Sequence, residues 1–598
     1  MQVGDPVECI MSSTMGLNAA STAPVASAYL TDVFALAPLS RPSSPWRRGA
    51  ILFRTKDGKL WPYNPGSSRQ LGWVDIIVGQ PGSGKSVLSN SMNLSIALSP
   101  QVGRSKTGAS LLPRISIIDI GPSSQGLIQL IKDALPASRR HEAMHLRLQN
   151  REEYSVNPFD LNLCVQKPFP YELEFLVNLV CLCCTADDRE SPYDGISALA
   201  RAAINEAYEY YSEDMNPKRY SRTDSVDVDN ALDALGYETD AQTTWWEVVK
   251  FLFDKDKHHE ATLAQRFAVP VMADLVSMSN RETVKEPFRE MRVESTSESV
   301  VVAFQRMVTA ACRDFPILAR PTRFSVADAR IIAFDLEAVT SNTGAHAHRQ
   351  SAVMYMLTRH TITSDFWLHE DDLDKVSIPA NVRAYHLERV TNNKQMQKRL
   401  AYDEYHRTGN LAFFRKQNEN DARVGRKTGV QQVYASQLID DFDREVQELA
   451  NNFFFCNVPS EGAIRSIGEN FNFSPTIQSV LRGLNGPIAG QGAPFVAMMK
   501  LKTGIYTQYL FNDIGPIESW ALSTTQGDTA LRSLIYEAFG PKMGRRVLAK
   551  RFPQGTASEL IEVRKTEMEA RGVVVDESAK ENLIRQIADE IIRGFRDV

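Results

Sequence analysis

Trp73-Val74-Asp75-Ile76-Ile77-Val78-Gly79-Gln80-Pro81-Gly82-Ser83-Gly84-Lys85-Ser86-Val87-Leu88 is the stretch on which the fold turns. A short apolar run gives way to a glycine-rich turn, and Val87, Leu88, Met92, Leu94 and Leu98 then recur as on a buried helix. Strand, tight loop and helix in that order meet the mechanical demands of the Gly-x4-Gly-Lys-Ser pattern. Gly82 and Gly84 let backbone N–H groups converge on phosphate oxygens without interference from a Cβ. The helix opening at the loop adds the positive end of its dipole. Gly79, Gln80, Pro81, Gly82, Ser83, Gly84, Lys85, Ser86 and Val87 are therefore expected to bind a nucleotide, ATP. Lys85 would reach the β- and γ-phosphates and the Ser86 hydroxyl would bind Mg2+.

Outward from the loop the pattern continues. A second buried run, Ile115-Ser116-Ile117-Ile118-Asp119-Ile120, precedes Gly121-Pro122 and a helical stretch over 124–134. Alternating strands and helices predict an α/β fold with a mainly parallel sheet. Strands are expected again at Arg330-Ile331-Ile332-Ala333-Phe334-Asp335, Arg399-Leu400-Ala401-Tyr402, Val430-Gln431-Gln432-Val433-Tyr434-Ala435 and Asn452-Phe453-Phe454-Phe455-Cys456. Two more are expected at Pro494-Phe495-Val496-Ala497-Met498-Met499 and Gly504-Ile505-Tyr506-Thr507-Gln508-Tyr509-Leu510. Ile51-Leu52-Phe53 and Leu60-Trp61-Pro62-Tyr63 flank Asp57-Gly58, a hairpin signal.

Between these runs, 172–319 reads as helical with charged loops, and the polar, acid-rich 211–236 reads as a surface loop. The expected organisation is a linker-like lead-in over 1–48 with an amphipathic stretch at 28–37, then the first part of the core over 49–171. A large α-helical insertion over 172–325, the second part of the core over 326–560 and a C-terminal helical segment over 561–598 follow. The last segment carries Leu583, Ile587, Ile591 and Phe595 at helical spacing, the mark of a helix packed on its own domain.

The bulk numbers exclude several classes. A net charge of -5 over 598 residues offers no global attraction for a polyanion, so a dedicated nucleic-acid binder is not expected. No window reaches about 18 uncharged apolar residues, so no transmembrane segment is expected. The N-terminus lacks the basic start and apolar stretch of a signal peptide. Cys181, Cys183 and Cys184 lack a second Cys or His pair at ligand spacing and read as core thiols of a reducing compartment.

Hydrolysis needs a carboxylate at a neighbouring strand end to hold Mg2+, and a second to orient water. Asp119, Asp335 and Asp403 all stand at strand ends. Asp119 has no acidic neighbour in sequence, and Asp335 and Glu337 are separated by Leu336 rather than adjacent. Asp403-Glu404 offers adjacent carboxylates just beyond a strand. The expectation is Asp403 on the metal and Glu404 on the attacking water, with Asp335 as the alternative metal ligand. Gln437 puts a neutral amide at another strand tip, suited to sensing a γ-phosphate. Arg423-Val424-Gly425-Arg426-Lys427 clusters cations on what reads as the loop before that strand, with Arg426 a candidate for insertion across a subunit interface.

This order of parts resembles the RecA-like ATPases that power type IV secretion and conjugation, within which it is most similar to the IcmB/DotO (TraU-like) branch of the type IVB, or Dot/Icm, systems. Arg41-Pro42-Ser43-Ser44-Pro45-Trp46, Gly82-Ser83-Gly84-Lys85-Ser86-Val87-Leu88, Asp119-Ile120-Gly121-Pro122-Ser123-Ser124, Asn157-Pro158-Phe159-Asp160 and Glu174-Phe175-Leu176-Val177-Asn178 carry the likeness. It covers most of the chain from about residue 40 onward. It implies a RecA-like P-loop core in a homo-hexameric ring, peripheral to the cytoplasmic face of the bacterial inner membrane. It also implies other secretion-system ATPases and inner-membrane channel proteins as partners, and effector proteins or conjugative DNA as cargo. Family members carry a sizeable domain ahead of the ATPase part, where this sequence has a short lead-in.

Overall fold

In a computed structural model of the chain, the apolar run before the glycine loop is a strand, Val74–Val78, buried along its whole length. A run of β-branched residues interrupted only by Asp75 suits a parallel strand that helices cover on both faces. The structure describes residues 43–99 and 111–596, apart from 187–188, 190, 294–296, 325, 327–328, 341–343, 409–411, 489 and 572–575, together with 7, 10, 11, 14, 29 and 30. Apart from Tyr29 and Leu30, the expected amphipathic stretch 28–37 lies outside the described residues. Arg48–Val598 forms one unit and Met1–Arg47 another.

The strands are β1 (Ile51–Thr55), β2 (Leu60–Tyr63), β3 (Val74–Val78), β4 (Arg114–Asp119), β5 (Ala143–Arg147), β6 (Ile331–Asp335), β7 (Lys398–Tyr402), β8 (Val430–Ser436), β9 (Asn452–Phe455), β10 (Ala493–Leu501) and β11 (Gly504–Asn512). They join in one sheet of order β2-β1-β11-β10-β9-β3-β8-β7-β4-β6-β5. From β9 to β5 every pairing is parallel. From β9 to β2 every pairing is antiparallel. The hairpin expected around Asp57-Gly58 is β1–β2, with Ile51 opposite Tyr63. β8 lies between β3 and β7, so the glycine loop and Asp403 leave the same edge of the sheet two strands apart, about 10 Å.

β5 is not among the expected strands. Its sequence, Ala-Met-His-Leu-Arg, holds no β-branched residue and no Phe, Tyr or Trp, so it carries no propensity signal. Pairing with β6 makes it a strand.

Helices fill 172–319, as expected, but they do not stand apart from the sheet. Pro170–Cys183, Ile196–Tyr210 and Val300–Asp314 bury Leu176, Leu199, Phe304 and their neighbours in the same apolar cluster as Val78 and Tyr402. Cys181, Cys183 and Cys184 are buried there, as core thiols should be. The stretch 211–236 is not wholly loop: Val226–Leu235 is a helix, ended by Gly236 at φ 65°. Its acids lie outside, while Val228, Ala231 and Leu232 join Trp245, Val249 and Ala264 in a second small core. Alternation of Val and Asp at its start masked the helical period.

After β11 the described residues are helical from Pro516 onward, well ahead of the expected boundary at 561. Pro516–Leu522, Gln526–Arg551 (broken at Gly540, φ 71°), Ser558–Ala570 and Glu577–Arg596 pack around Trp520, Leu531, Leu548 and Ile587. Leu583, Ile587 and Ile591 point into this core and Phe595 packs against it, so the stripe serves its own domain.

Candidate nucleotide site

The helix Lys85–Leu98 starts directly from the loop, with Gly84 as its first flanking residue at φ 89° and Gly82 at φ 78°. Both lie where a side chain is strained. A Cβ on Gly79 would meet Ser83 Oγ at 2.5 Å and Cys456 Cβ at 3.0 Å, so the turn closes only around glycine. The first turn of the helix leaves N–H groups without intrahelical acceptors. Ser83 Oγ is buried and has no hydrogen-bond partner among the described residues. The bare cradle, the orphaned hydroxyl and the buried ammonium beside them fit a polyphosphate.

Register sets what faces this loop. Val78 pairs with Ser436, and Gly79 N–H donates to Ser436 O at 3.1 Å. Tyr402 pairs with Tyr434, so continuing the register puts position 404 level with 436. Asp403 N–H donates to Ile118 O at 2.9 Å, bringing Asp403 beside Asp119 at the end of β4.

The structure brings together Lys85, Ser86, Asp403, Glu404 and Gln437. Ser86 Oγ donates to Asp403 Oδ2 at 2.8 Å. Lys85 Nζ is 3.4 Å from Asp403 Oδ1 and pairs with Glu404 Oε1. Gln437 Nε2 donates to Glu404 Oε2 at 3.2 Å. Burial alone would push the Lys85 ammonium down, but the Asp403 and Glu404 carboxylates overcome it and hold its pKa above the ordinary range. Glu404 sits at φ 52°, a left-handed conformation that costs a non-glycine residue about 1 kcal/mol and marks a strained turn.

Asp335 is placed elsewhere. Its Oδ1 accepts from Gly121 N–H at 2.9 Å and Glu337 N–H at 2.8 Å, so this carboxylate closes the turns after β4 and β6. Asp119, without an acidic neighbour in sequence, gains Asp403 from the adjacent strand. Ser123 Oγ bridges them, 2.8 Å from both Asp119 oxygens and 3.3 Å from Asp403 Oδ2. Burial, and then the Asp403 charge, push the Asp119 carboxyl up to about 7. A hydroxyl four residues after a strand-ending Asp was the signal for Ser123.

Arg426 does not join the site, and its segment is not a loop. Arg423 to Lys427 form the end of the helix Ala412–Thr428, and Arg426 Nη1 donates to Leu71 O at 2.7 Å. Leu71 precedes β3 and Arg426 precedes β8, so the guanidinium stands at the edge of the sheet where these strands begin. The phosphate loop lies at the other edge, a strand length of roughly 16 Å away.

Behind the loop, Asp75 on β3 and Arg399 on β7 form an ion pair at 3.6 Å with both side chains 0% exposed. Arg399 Nε also donates to Asn93 Oδ1 at 2.6 Å, and Asp75 accepts from Asn452 and Gln431 at 2.6 and 2.7 Å. This buried network ties the loop's strand and helix to the strand that ends at Asp403.

Fold and sequence together define an α/β protein with a mainly parallel sheet and a P-loop, its candidate nucleotide site lying at the tips of β3, β8 and β7. No family model matches the sequence, and no curated protein does. Among solved structures the fold is similar to "Structure of VirB4 of Thermoanaerobacter pseudethanolicus", with a TM-score of 0.47 and 15% identity over 80% of this chain and 100% of that one. Likeness at that level adds nothing to the functional reading, which rests on the residues themselves. Among the described residues no helix is long and apolar enough to cross a membrane.

Proposed function

We propose that the chain is an ATP-hydrolysing motor subunit of a bacterial type IVB secretion or conjugation apparatus, energising its assembly or the transfer of its substrate. The observation that carries hydrolysis is the convergence of Lys85, Ser86, Asp403, Glu404 and Gln437 on three neighbouring strand tips. The secretion context rests on the sequence phrases around Gly82–Leu88, Asp119–Ser124 and Asn157–Asp160.

In this reading the loop N–H groups and Lys85 would hold the phosphates of ATP, and Ser86 and Asp403 would hold Mg2+, which would neutralise phosphate charge. Lys85 then leaves Glu404 for the phosphates. Glu404 accepts a proton from water as its oxygen attacks the terminal phosphorus and the bond to ADP breaks. Gln437 keeps Glu404 and the water aligned. Arg426 is too far from its own chain's loop to assist, so it would act only from a neighbouring subunit. That suits a homo-hexameric ring, peripheral to the cytoplasmic face of the inner membrane, with other secretion-system ATPases and channel proteins as partners and effector proteins or conjugative DNA as cargo.

Electron microscopy with a non-hydrolysable ATP analogue, beside phosphate release with and without DNA, tests this reading. It predicts rings and turnover that Arg426→Ala lowers at least tenfold while each subunit still binds nucleotide. Rings without phosphate release would identify a nucleotide-dependent scaffold instead. Salt-sensitive stimulation by DNA would identify a DNA translocase.

A further inference from the structure

We infer that His406 is a positioning residue for this hydrolysis: it holds Oε2 of Glu404 toward the tip of β8, so that Oε1 is the oxygen turned to the attacking water. The inference rests on reading Glu404 as the base. His406 Nδ1 lies 3.3 Å from Glu404 Oε2 and 3.3 Å from Ser436 Oγ. Ser436 has a single hydroxyl proton, and it is committed to Asp441 Oδ2 at 2.5 Å. Asp441 Oδ2 is itself fixed by Leu438 N–H at 2.9 Å. Ser436 can therefore only accept from the ring, and Nδ1 must carry the proton. Ser436 Oγ and Glu404 Oε2 are equally near that nitrogen.

The groups around Glu404 then sort by oxygen. Oε2 receives Gln437 Nε2 and has His406 Nδ1 3.3 Å away, while Oε1 receives Lys85. Lys85 is the donor that a polyphosphate takes away. Once it turns, Oε2 keeps Gln437 and the neighbouring imidazole, and Oε1 is left with a lone pair for a water proton. The ring is delivered by the turn Tyr405–Thr408, which Arg407 N–H closes onto Glu404 O at 2.8 Å, so base and clamp move as one piece. Burial pushes the imidazole below its ordinary range against the pull of Glu404 and Asp441, with Arg407 and Lys85 adding to the fall. A proton on Nδ1 is what the Ser436 contact requires.

The test measures steady-state phosphate release and ATP affinity on the full chain for the wild type, Lys85→Ala, His406→Ala and His406→Asn. The Asn amide can place a donor where Nδ1 stands. The expected result is a kcat at least tenfold lower for His406→Ala, a KM for ATP within about twofold, and recovery of most of the rate in His406→Asn. A His406→Ala enzyme within twofold of the wild-type kcat overturns the inference and leaves hydrolysis standing. So does His406→Asn as slow as His406→Ala with ATP affinity intact. If His406→Ala loses its fold, His406→Asn alone decides, a rate within threefold of wild type supporting the clamp and a tenfold loss overturning it. A wild type that releases no phosphate, or releases it as fast after Lys85→Ala, overturns the hydrolysis reading and this inference with it.

Discussion

At the residue scale the site is held by conformations and charges that most sequences would reject. Gly84 opens a helix from φ 89°, and a Cβ there would meet Ala493 Cβ at 3.2 Å. Gly84→Ala is therefore expected to weaken binding of a fluorescent ATP analogue at least tenfold and to cost about 1–2 kcal/mol of stability. Titration and thermal unfolding check both. Glu172, far from the loop, shows what burial does to a lone carboxyl. It accepts from Phe169 N–H and Asn162 Nδ2, each at 2.8 Å, yet burial pushes its pKa up to about 7. The unfolded chain releases this proton near pH 4.3, while the folded chain keeps it until about 7. Across that window the folded state binds the extra proton, so stability falls as pH rises, and the penalty is complete above it. Glu172→Gln should flatten the fall in unfolding temperature between pH 5.5 and 8, and equal slopes for both proteins would contradict this.

At the element scale the C-terminal helices lock onto the helix that follows Asp119. Gln125–Ala134 and Pro516–Leu522 touch at Gly126, where any Cβ would run into the Ala521 carbonyl oxygen. Arg545 pairs with Asp133 at 2.5 Å, and Arg532 Nη1 donates to the carbonyls of Trp520, Ala521 and Ser523 at 2.9, 2.9 and 3.0 Å. Gly126→Ala must separate the two helices, and a loss of about 3 kcal/mol or more is expected, seen as a drop of several degrees in unfolding temperature. The strands on either side of the loop were legible in the sequence because parallel strands are apolar on both faces. The helix Ala412–Thr428 was not, because beyond Phe414 its buried face is polar. Asn418 reaches Tyr405 OH at 3.2 Å, and Asp421 accepts from Arg359 Nε at 2.8 Å, so no apolar stripe announces the helix and Arg426 reads as part of a loop.

At the scale of the whole molecule, one edge of the sheet gathers residues from positions 79 to 437, and the residues legible beforehand were those with a chemical signature of their own. Lys85 and Ser86 open the helix after the glycine loop, and Asp403, Glu404 and Gln437 stand just beyond strand ends, in patterns that phosphate chemistry explains. Asp119 and Ser123 were quoted but given no place at the site, and His406 was missed, because their roles arise from pairing β4 with β7 and β7 with β8, which no local pattern contains. The same pairing makes Glu404 the hub of the site, joined to Lys85, Gln437 and His406. The most direct measurement is phosphate release by the purified chain with Mg2+ and ATP, read beside ATP binding for the wild type, Lys85→Ala and Glu404→Gln. The account predicts a wild type that turns over, a Lys85→Ala protein that neither binds well nor hydrolyses, and a Glu404→Gln protein that binds ATP normally with kcat at least 100-fold lower. A Glu404→Gln protein hydrolysing at the wild-type rate would contradict it.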